Sequence, residues 1–261
     1  MLLNRVINGV FWLILMVGGN AYAQSGLSEL LATTPAAIEN ESYITGKVNQ
    51  FVSSLRALDQ SKSSSLRTLF RKTQKAFLKS YKPYSGIDEL FSTGYYDCLS
   101  ATALFSHILD ETGYDYSIME TNYHVFLLVH TRQGDVLLES TDRYDGLITD
   151  AASIADRIQS YRNQAPVTSS NYGQTYYQYS CSLYRAINRE ELIGLIYYNK
   201  AVVAYNNSNW YQSREFITKA RQRYASPRCQ ELDRLLQAQI TATAQETSAP
   251  TGNTAGMHHN R

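Results

Sequence analysis

Between Gly94 and Asp142 the spacing of apolar residues changes once, from a helical period to a strand period, and nothing else in the chain constrains its fold as tightly. Ala101, Leu104, Phe105 and Ile108 recur at i, i+3, i+4 and i+7, one buried stripe of an amphipathic helix. Asp97 is its expected N-cap, taking amide protons of the first turn, and Gly113 its expected stop. Strand-like runs follow at Tyr114 to Glu120, His124 to His130 and Val136 to Thr141. The middle run is apolar on both faces and therefore belongs inside a sheet. A helix followed by consecutive short strands predicts an α+β fold with an antiparallel sheet.

The hairpin from Thr131 to Asp135 sets which side chains meet. If Thr131 and Asp135 flank a three-residue loop, opposed positions sum to 266 and His124 faces Asp142; a two-residue loop moves the partner to Arg143. Cys98 opens the helix at the buried end of its stripe. Cysteine, histidine and aspartate are the residue types of a nucleophile, its general base and the group that orients the base. A helix N-terminus lowers a thiol's pKa, and a neighbouring histidine lowers it further. Cys98 is thus the candidate nucleophile, His124 the candidate base and Asp142 the candidate orienter, with Glu139 and Asp145 as fallbacks. The Cys98 amide is a ready donor to an oxyanion, and Tyr84, Ser85 and Tyr96 are candidates for a second donor. His107, nine positions after Cys98 (107 minus 98), lies about 180° around the helix and cannot serve it. The spacings 98 to 124 and 124 to 142 fit no short zinc-ligand pattern, and neither Cys-x-x-Cys nor His-x-x-x-His occurs. Neither a metal nor a cofactor is expected. The plainer account of the same residues is a small buried thiol and a satisfied core histidine.

Tyr-Asp-Cys-Leu-Ser-Ala-Thr-Ala-Leu at 96–104, Asn-Tyr-His-Val-Phe-Leu-Leu-Val at 122–129 and Glu-Ser-Thr-Asp at 139–142 resemble the three core blocks of the transglutaminase-like superfamily. The resemblance covers about residues 80–150. It implies a papain-like core in which Cys98 begins a helix, His124 begins a strand packed on it and Asp142 follows on the next strand. Tyr96 departs from the glycine that many members carry, and no clear calcium site is present. Tyr198-Asn199, Ala201, Asn209-Trp210-Tyr211, Phe216 and Ala220 are similar to a single tetratricopeptide-type helix pair, with Ser213 in place of a usual alanine and Lys200 of a usual apolar residue. One such pair cannot build a superhelical groove.

The remaining sequence sets the context. Arg5, the apolar run Val10 to Val17 and small residues at Ala21 and Ala23 have the pattern of a secretory signal, so cleavage after Ala23 and export to a periplasmic or extracellular location are expected. That run is shorter than the roughly 20 residues a spanning helix needs. The expected segments are an N-terminal helical region (24–80), the core (81–189), a helical extension (190–240) and a disordered tail (241–261). Net charge is +1 with Lys and Arg scattered, which gives no reason to expect nucleic acid as a partner. Tyrosine is abundant, with 21 residues and a cluster from Tyr172 to Tyr184, and suits peptide or carbohydrate grooves as well as sheet edges. Of three cysteines, Cys181 and Cys229 either pair with each other or are separate buried thiols. The expected activity is thiol-dependent hydrolysis of a peptide, glutamine or cell-wall-type amide. The competing reading is an inactive relative that binds a peptide or glycan, or an adaptor acting through its C-terminal helices.

Overall fold

Leucines, isoleucines and phenylalanines at helical spacing make the N-terminal region helical. In the computed structural model, which describes residues 26–60, 62–163 and 183–248, helix α1 (26–31) buries Leu27, Leu30 and Leu31. Pro35 starts α2 (Pro35–Glu39), a position where its missing N–H costs nothing. Helix α3 (Glu41–Ser53) buries Ile44, Val48 and Val52. Helix α4 (Ser63–Phe77) buries Leu66, Leu69, Phe70 and Phe77. The signal-like segment, Cys181, nearly all of the Tyr172 to Tyr184 cluster and residues 249–261 lie outside the described residues.

Strands β1 (Ser80–Tyr81) and β2 (Tyr95–Tyr96) form a two-residue parallel ladder around helix α5 (Ile87–Ser92). Gly94, at φ +85°, makes the turn between α5 and β2. This ladder delivers the chain to α6 (Cys98–Thr112), which begins with a reciprocal cap between Asp97 and Ser100 and ends at Gly113 in the left-handed conformation, φ +74°. The helix is buried on nearly every side from Leu99 to Leu109. It is the axis of the fold rather than an amphipathic surface helix.

A five-stranded antiparallel sheet packs on α6. Its strands are β3 (Asp115–Thr121), β4 (Val125–Thr131), β5 (Gly134–Leu138), β6 (Leu147–Ile148) and β7 (Tyr184–Ile187), in the order β6-β5-β4-β3-β7, with β4 in the middle. Val125, Leu127, Val129, Val136 and Leu138 face the main core with α6, whereas Met119, Phe126 and Leu137 face Tyr161 of α7 (Ala151–Arg162). The hairpin register differs from expectation. Thr131 pairs with Gly134 and Leu127 with Leu138, so opposed positions sum to 265. Gly134, at φ +117°, stands just after a loop of Arg132 and Gln133 rather than within it. Because side chains alternate faces, this register puts Glu139 on the side of His124, and β5, expected to run to Thr141, stops at Leu138, so the chain turns before it reaches Asp142.

Helices α8 (Arg189–Asn206), α9 (Trp210–Arg223) and α10 (Pro227–Ser248) complete the molecule, the last running eight residues beyond the expected end at 240 (248 minus 240). α8 and α9 approach closely where small residues meet: Gly194 lies against Tyr224, and buried Ser213 donates to the Ala201 carbonyl at 2.7 Å. These helices are not an appendage, since one hydrophobic cluster runs from Leu27 through α6 and the sheet to Leu236. A buried polar pin joins them to the sheet. Glu120, fully buried in β3, accepts from Tyr224 Oη and Arg185 Nε (3.1 Å) and pairs with Arg228 at 3.6 Å.

Candidate active site

Cys98 occupies the first position of α6 and is partly buried. Asp97 Oδ1 accepts from the Ser100 amide at 2.8 Å and from Ser100 Oγ at 3.0 Å, while Ser100 Oγ accepts from the Asp97 amide at 2.9 Å. The Leu99 amide also donates to this carboxylate. The cap therefore uses the second and third amides of the helix and leaves that of Cys98 for another acceptor. Burial pushes the Asp97 carboxyl up to about 6, against the pull of these hydrogen bonds.

One turn on, Thr102 fixes where Cys98 sits relative to the sheet. Its hydroxyl donates to the Val125 carbonyl at 3.4 Å and lies 3.3 Å from Ser140 Oγ, all of it buried. Those two contacts are the neighbours in sequence of His124 and Glu139. The Ser140 carbonyl in turn accepts from Gln74 of α4 at 2.7 Å. Helix, central strand and the segment after β5 are thereby tied at one level.

His124 lies at the entrance to β4, its carbonyl accepting from the Thr121 amide (2.8 Å) and hydroxyl (3.1 Å). Its Nε2 is 2.5 Å from Glu139 Oε2, with the histidine side chain 14% and the glutamate 2% exposed. Tyr161 packs against the imidazole at 4.8 Å between ring centroids, and its hydroxyl donates to the same Glu139 oxygen at 2.5 Å. The Thr141 amide (3.0 Å) and hydroxyl (2.6 Å) donate to Glu139 Oε1. Both carboxylate oxygens are thus occupied, and among the described residues the imidazole is the charged group hydrogen-bonded to them. Burial alone would push the imidazole pKa down, but the thiol of Cys98 and the carboxylate of Glu139 outweigh it and hold it up, at about 10. The charged imidazole of His124 and the hydrogen bonds from His124, Thr141 and Tyr161 hold Glu139 down at about 2 despite its burial. His124 is therefore an imidazolium at neutral pH, between a thiol and a buried carboxylate.

The expected orienter, Asp142, is not part of this cluster. Its Oδ1 accepts from the Asp145 amide at 2.9 Å and the Tyr144 amide at 3.3 Å, and Oδ2 lies 3.8 Å from Arg157, so it holds the turn after the site. β5 ends at Leu138 and the Asp142 amide donates back to the Glu139 carbonyl at 3.3 Å, so Glu139 keeps the face of Phe126 and His124 while Asp142 has already turned away. Asp145 is an exposed residue of that turn. Gly146 closes it, and a Cβ there would meet the Glu139 carbonyl at 2.3 Å and the Asp142 carbonyl at 2.2 Å.

Of the candidates for a second oxyanion donor, Tyr96 is buried with its ring against Tyr81, and Ser85 is buried in the wall of a cavity. Tyr84, half exposed at φ +62°, is near enough for Cys98 and Asp97 to help burial raise its phenol pKa. Tyr81, which the sequence reading passed over, also feels Cys98: burial raises its phenol most and Cys98 next. Tyr161 was likewise missed, since a tyrosine near the end of a polar helix carries no signal of a carboxylate beneath it. His107 is buried in α6 with neither ring nitrogen bonded among the described residues, and desolvation lowers it to about 4. Among the described residues no group of three or more His, Cys, Asp or Glu side chains is arranged to hold a metal ion. Compared with family models, curated proteins and solved structures, the chain matches none.

Proposed function

We propose that the chain is an exported cysteine hydrolase with a transglutaminase-like, papain-like core that cleaves an amide bond of a peptide or glutamine-type substrate. The observation that carries the reading is the row formed by Cys98 at a helix start, the His124 imidazolium and the clamped Glu139 carboxylate. An imidazolium beside a thiol favours the thiolate, the nucleophilic form. The Cys98 sulfur attacks the carbonyl carbon, and the resulting oxyanion accepts a hydrogen bond from the Cys98 amide, with the Tyr84 or Tyr81 hydroxyl as second donor. His124 gives its proton to the departing amine, leaving a thioester. The now neutral imidazole takes a proton from water, which attacks the thioester, and the thiolate and imidazolium are restored. Glu139 keeps the ring in place and stabilises its charged form through both halves of the cycle. Export rests on the signal-like pattern of residues 1–23.

The test is the rate of Cys98 alkylation by iodoacetamide against pH, with the label located by peptide mass mapping. Native Cys229 is fully buried, with burial pushing its thiol up to about 11, and adds little background. The expected result is labelling well below neutral pH that is lost in His124→Ala. An ordinary thiol profile near 8.5, unchanged in that variant, would contradict the proposal.

A further inference from the structure

Lys200, which stands where the helix-pair pattern has an apolar residue, brings a positive charge into the wall of a cavity. Ile196, Asn199, Lys200, Val203 and Asn207 recur at i, i+3, i+4, i+7 and i+11, one stripe of α8 that lines a space of about 250 Å³ between the C-terminal helices and the start of α6. Leu99 and Phe216 join Ile196 and Val203 as its apolar lining, and Asp97 supplies a negative charge. Neither Cys98, His124 nor Glu139 lines it, so the space is separate from the cysteine centre. Its two charges are not matched. Lys200 Nζ donates to the Thr33 carbonyl at 2.8 Å, which uses one of its three protons, and it has no carboxylate within ion-pair range among the described residues; Asp88 and Lys219 act on it only from a distance. Both Ser100 bonds fall on Asp97 Oδ1, so Oδ2 retains capacity to accept. Lys200 and Asp97 form no ion pair with each other, although a withdrawn charge is costly unless it is paired. Ser85, 3% exposed and in the same wall, has a hydroxyl with no hydrogen-bond partner of good geometry among the described residues, though it lies near enough to Glu89 to help hold that carboxyl down. The volume falls below the roughly 300–1,000 Å³ of sites for drug-sized ligands and suits a molecule of amino-acid size.

We propose that this cavity is a binding site for a free amino acid with an apolar side chain, its carboxylate on Lys200, its ammonium on Asp97 and its side chain against Leu99, Ile196, Val203 and Phe216. A ligand with both charges matches each end of the cavity, whereas a plain acid meets the Asp97 carboxylate and a plain amine meets the Lys200 ammonium. The carboxamide of Asn199, which both donates and accepts, and the Ser85 hydroxyl serve the remaining polar atoms. The site does not depend on Cys98 reacting, and its test reads binding alone. The full chain is titrated calorimetrically at pH 7.5 with leucine, and then with 4-methylpentanoate, which lacks the ammonium, and 3-methylbutylamine, which lacks the carboxylate. Leucine is expected to bind, and each analogue to bind about tenfold or more weakly, because each leaves one buried charge without its partner. Lys200→Met is expected to weaken leucine by about tenfold or more and to leave 3-methylbutylamine no weaker than in the wild type. Val203→Trp, which fills the space, is expected to abolish leucine binding. No heat of binding from leucine at millimolar concentration would overturn the proposal, as would analogues that bind as tightly as leucine. Leucine affinity unchanged in Lys200→Met, or in a Val203→Trp variant that melts like the wild type, would overturn it too. If either variant melts early, the comparison of leucine with its two analogues on the wild type decides.

Discussion

At the scale of single residues, the site is a contest between burial and pairing. Desolvation opposes charge on both His124 and Glu139, and their pairing, with Cys98 beside the imidazole and Thr141 and Tyr161 on the carboxylate, outweighs it. Glu139→Gln removes the countercharge while keeping the shape, so Cys98 labelling at pH 6 should slow by about tenfold or more. Asp142→Asn should leave that rate within about twofold, since one pKa unit of coupling would already give tenfold. The opposite pattern, loss in Asp142→Asn and retention in Glu139→Gln, would restore the aspartate as orienter. The pair also shapes stability. His124 is raised above its ordinary 6.5, so its contribution is complete below about that pH and is lost as pH rises through about 10. Glu139 is depressed, so its contribution is present above about 4.5 and is lost as pH falls through about 2. Chemical denaturation across pH should therefore show a plateau of stability between these limits that is absent in Glu139→Gln. Tyr161→Phe removes one hydrogen bond to Glu139 and should slow labelling by about fivefold, matching about 1 kcal/mol.

Elements place those residues, and their legibility in sequence varied for physical reasons. Helix α6 was legible because its cap, its stripe and Gly113 all state the same boundaries, and β4 because it is apolar on both faces. The register was not, because Arg132, Gln133 and Gly134 allow several tight loops, and only tertiary packing selects the one that leaves Gly134 at φ +117°. That step, with the strand ending at Leu138, put Glu139 rather than Asp142 beside His124. Within the expected helical region 24–80 the bounds of α3 were blurred by Gly46 and by β-branched residues at its buried positions, which have weak helix propensity. The β1 and β2 ladder is only two residues long, too short to carry a period. Two substitutions test the element-level geometry. Thr102→Val cuts the tie between α6 and the entrance to β4, and should cost about 1 kcal/mol in unfolding free energy and slow Cys98 labelling. Gly146→Ala drives a methyl group into two backbone carbonyls behind Glu139 and should destabilise by about 2 kcal/mol or more. A melting temperature equal to wild type in Gly146→Ala would show that the turn is looser than described.

For the whole molecule, one continuous core crosses the expected segment boundaries at 80 and 189. The C-terminal helices supply Tyr224 and Arg228 to the buried Glu120, and α8 packs its glycine against Tyr224. Truncation after Asn188 strips Glu120 of those partners and exposes the apolar surface that the helices cover. The shortened chain should lack a cooperative thermal transition by circular dichroism, whereas an independent core would keep one. The site itself depends on the same assembly, since α6 brings Cys98, β4 brings His124, the end of β5 brings Glu139 and α7 brings Tyr161. The His124 ring reports on all four at once. Its titration by nuclear magnetic resonance, with the imidazole isotopically labelled, is the most direct test of the central claim. The ring should remain protonated through neutral pH and titrate near 10, falling markedly in Glu139→Gln. Titration near the ordinary 6.5, unmoved by Glu139→Gln, would contradict the account.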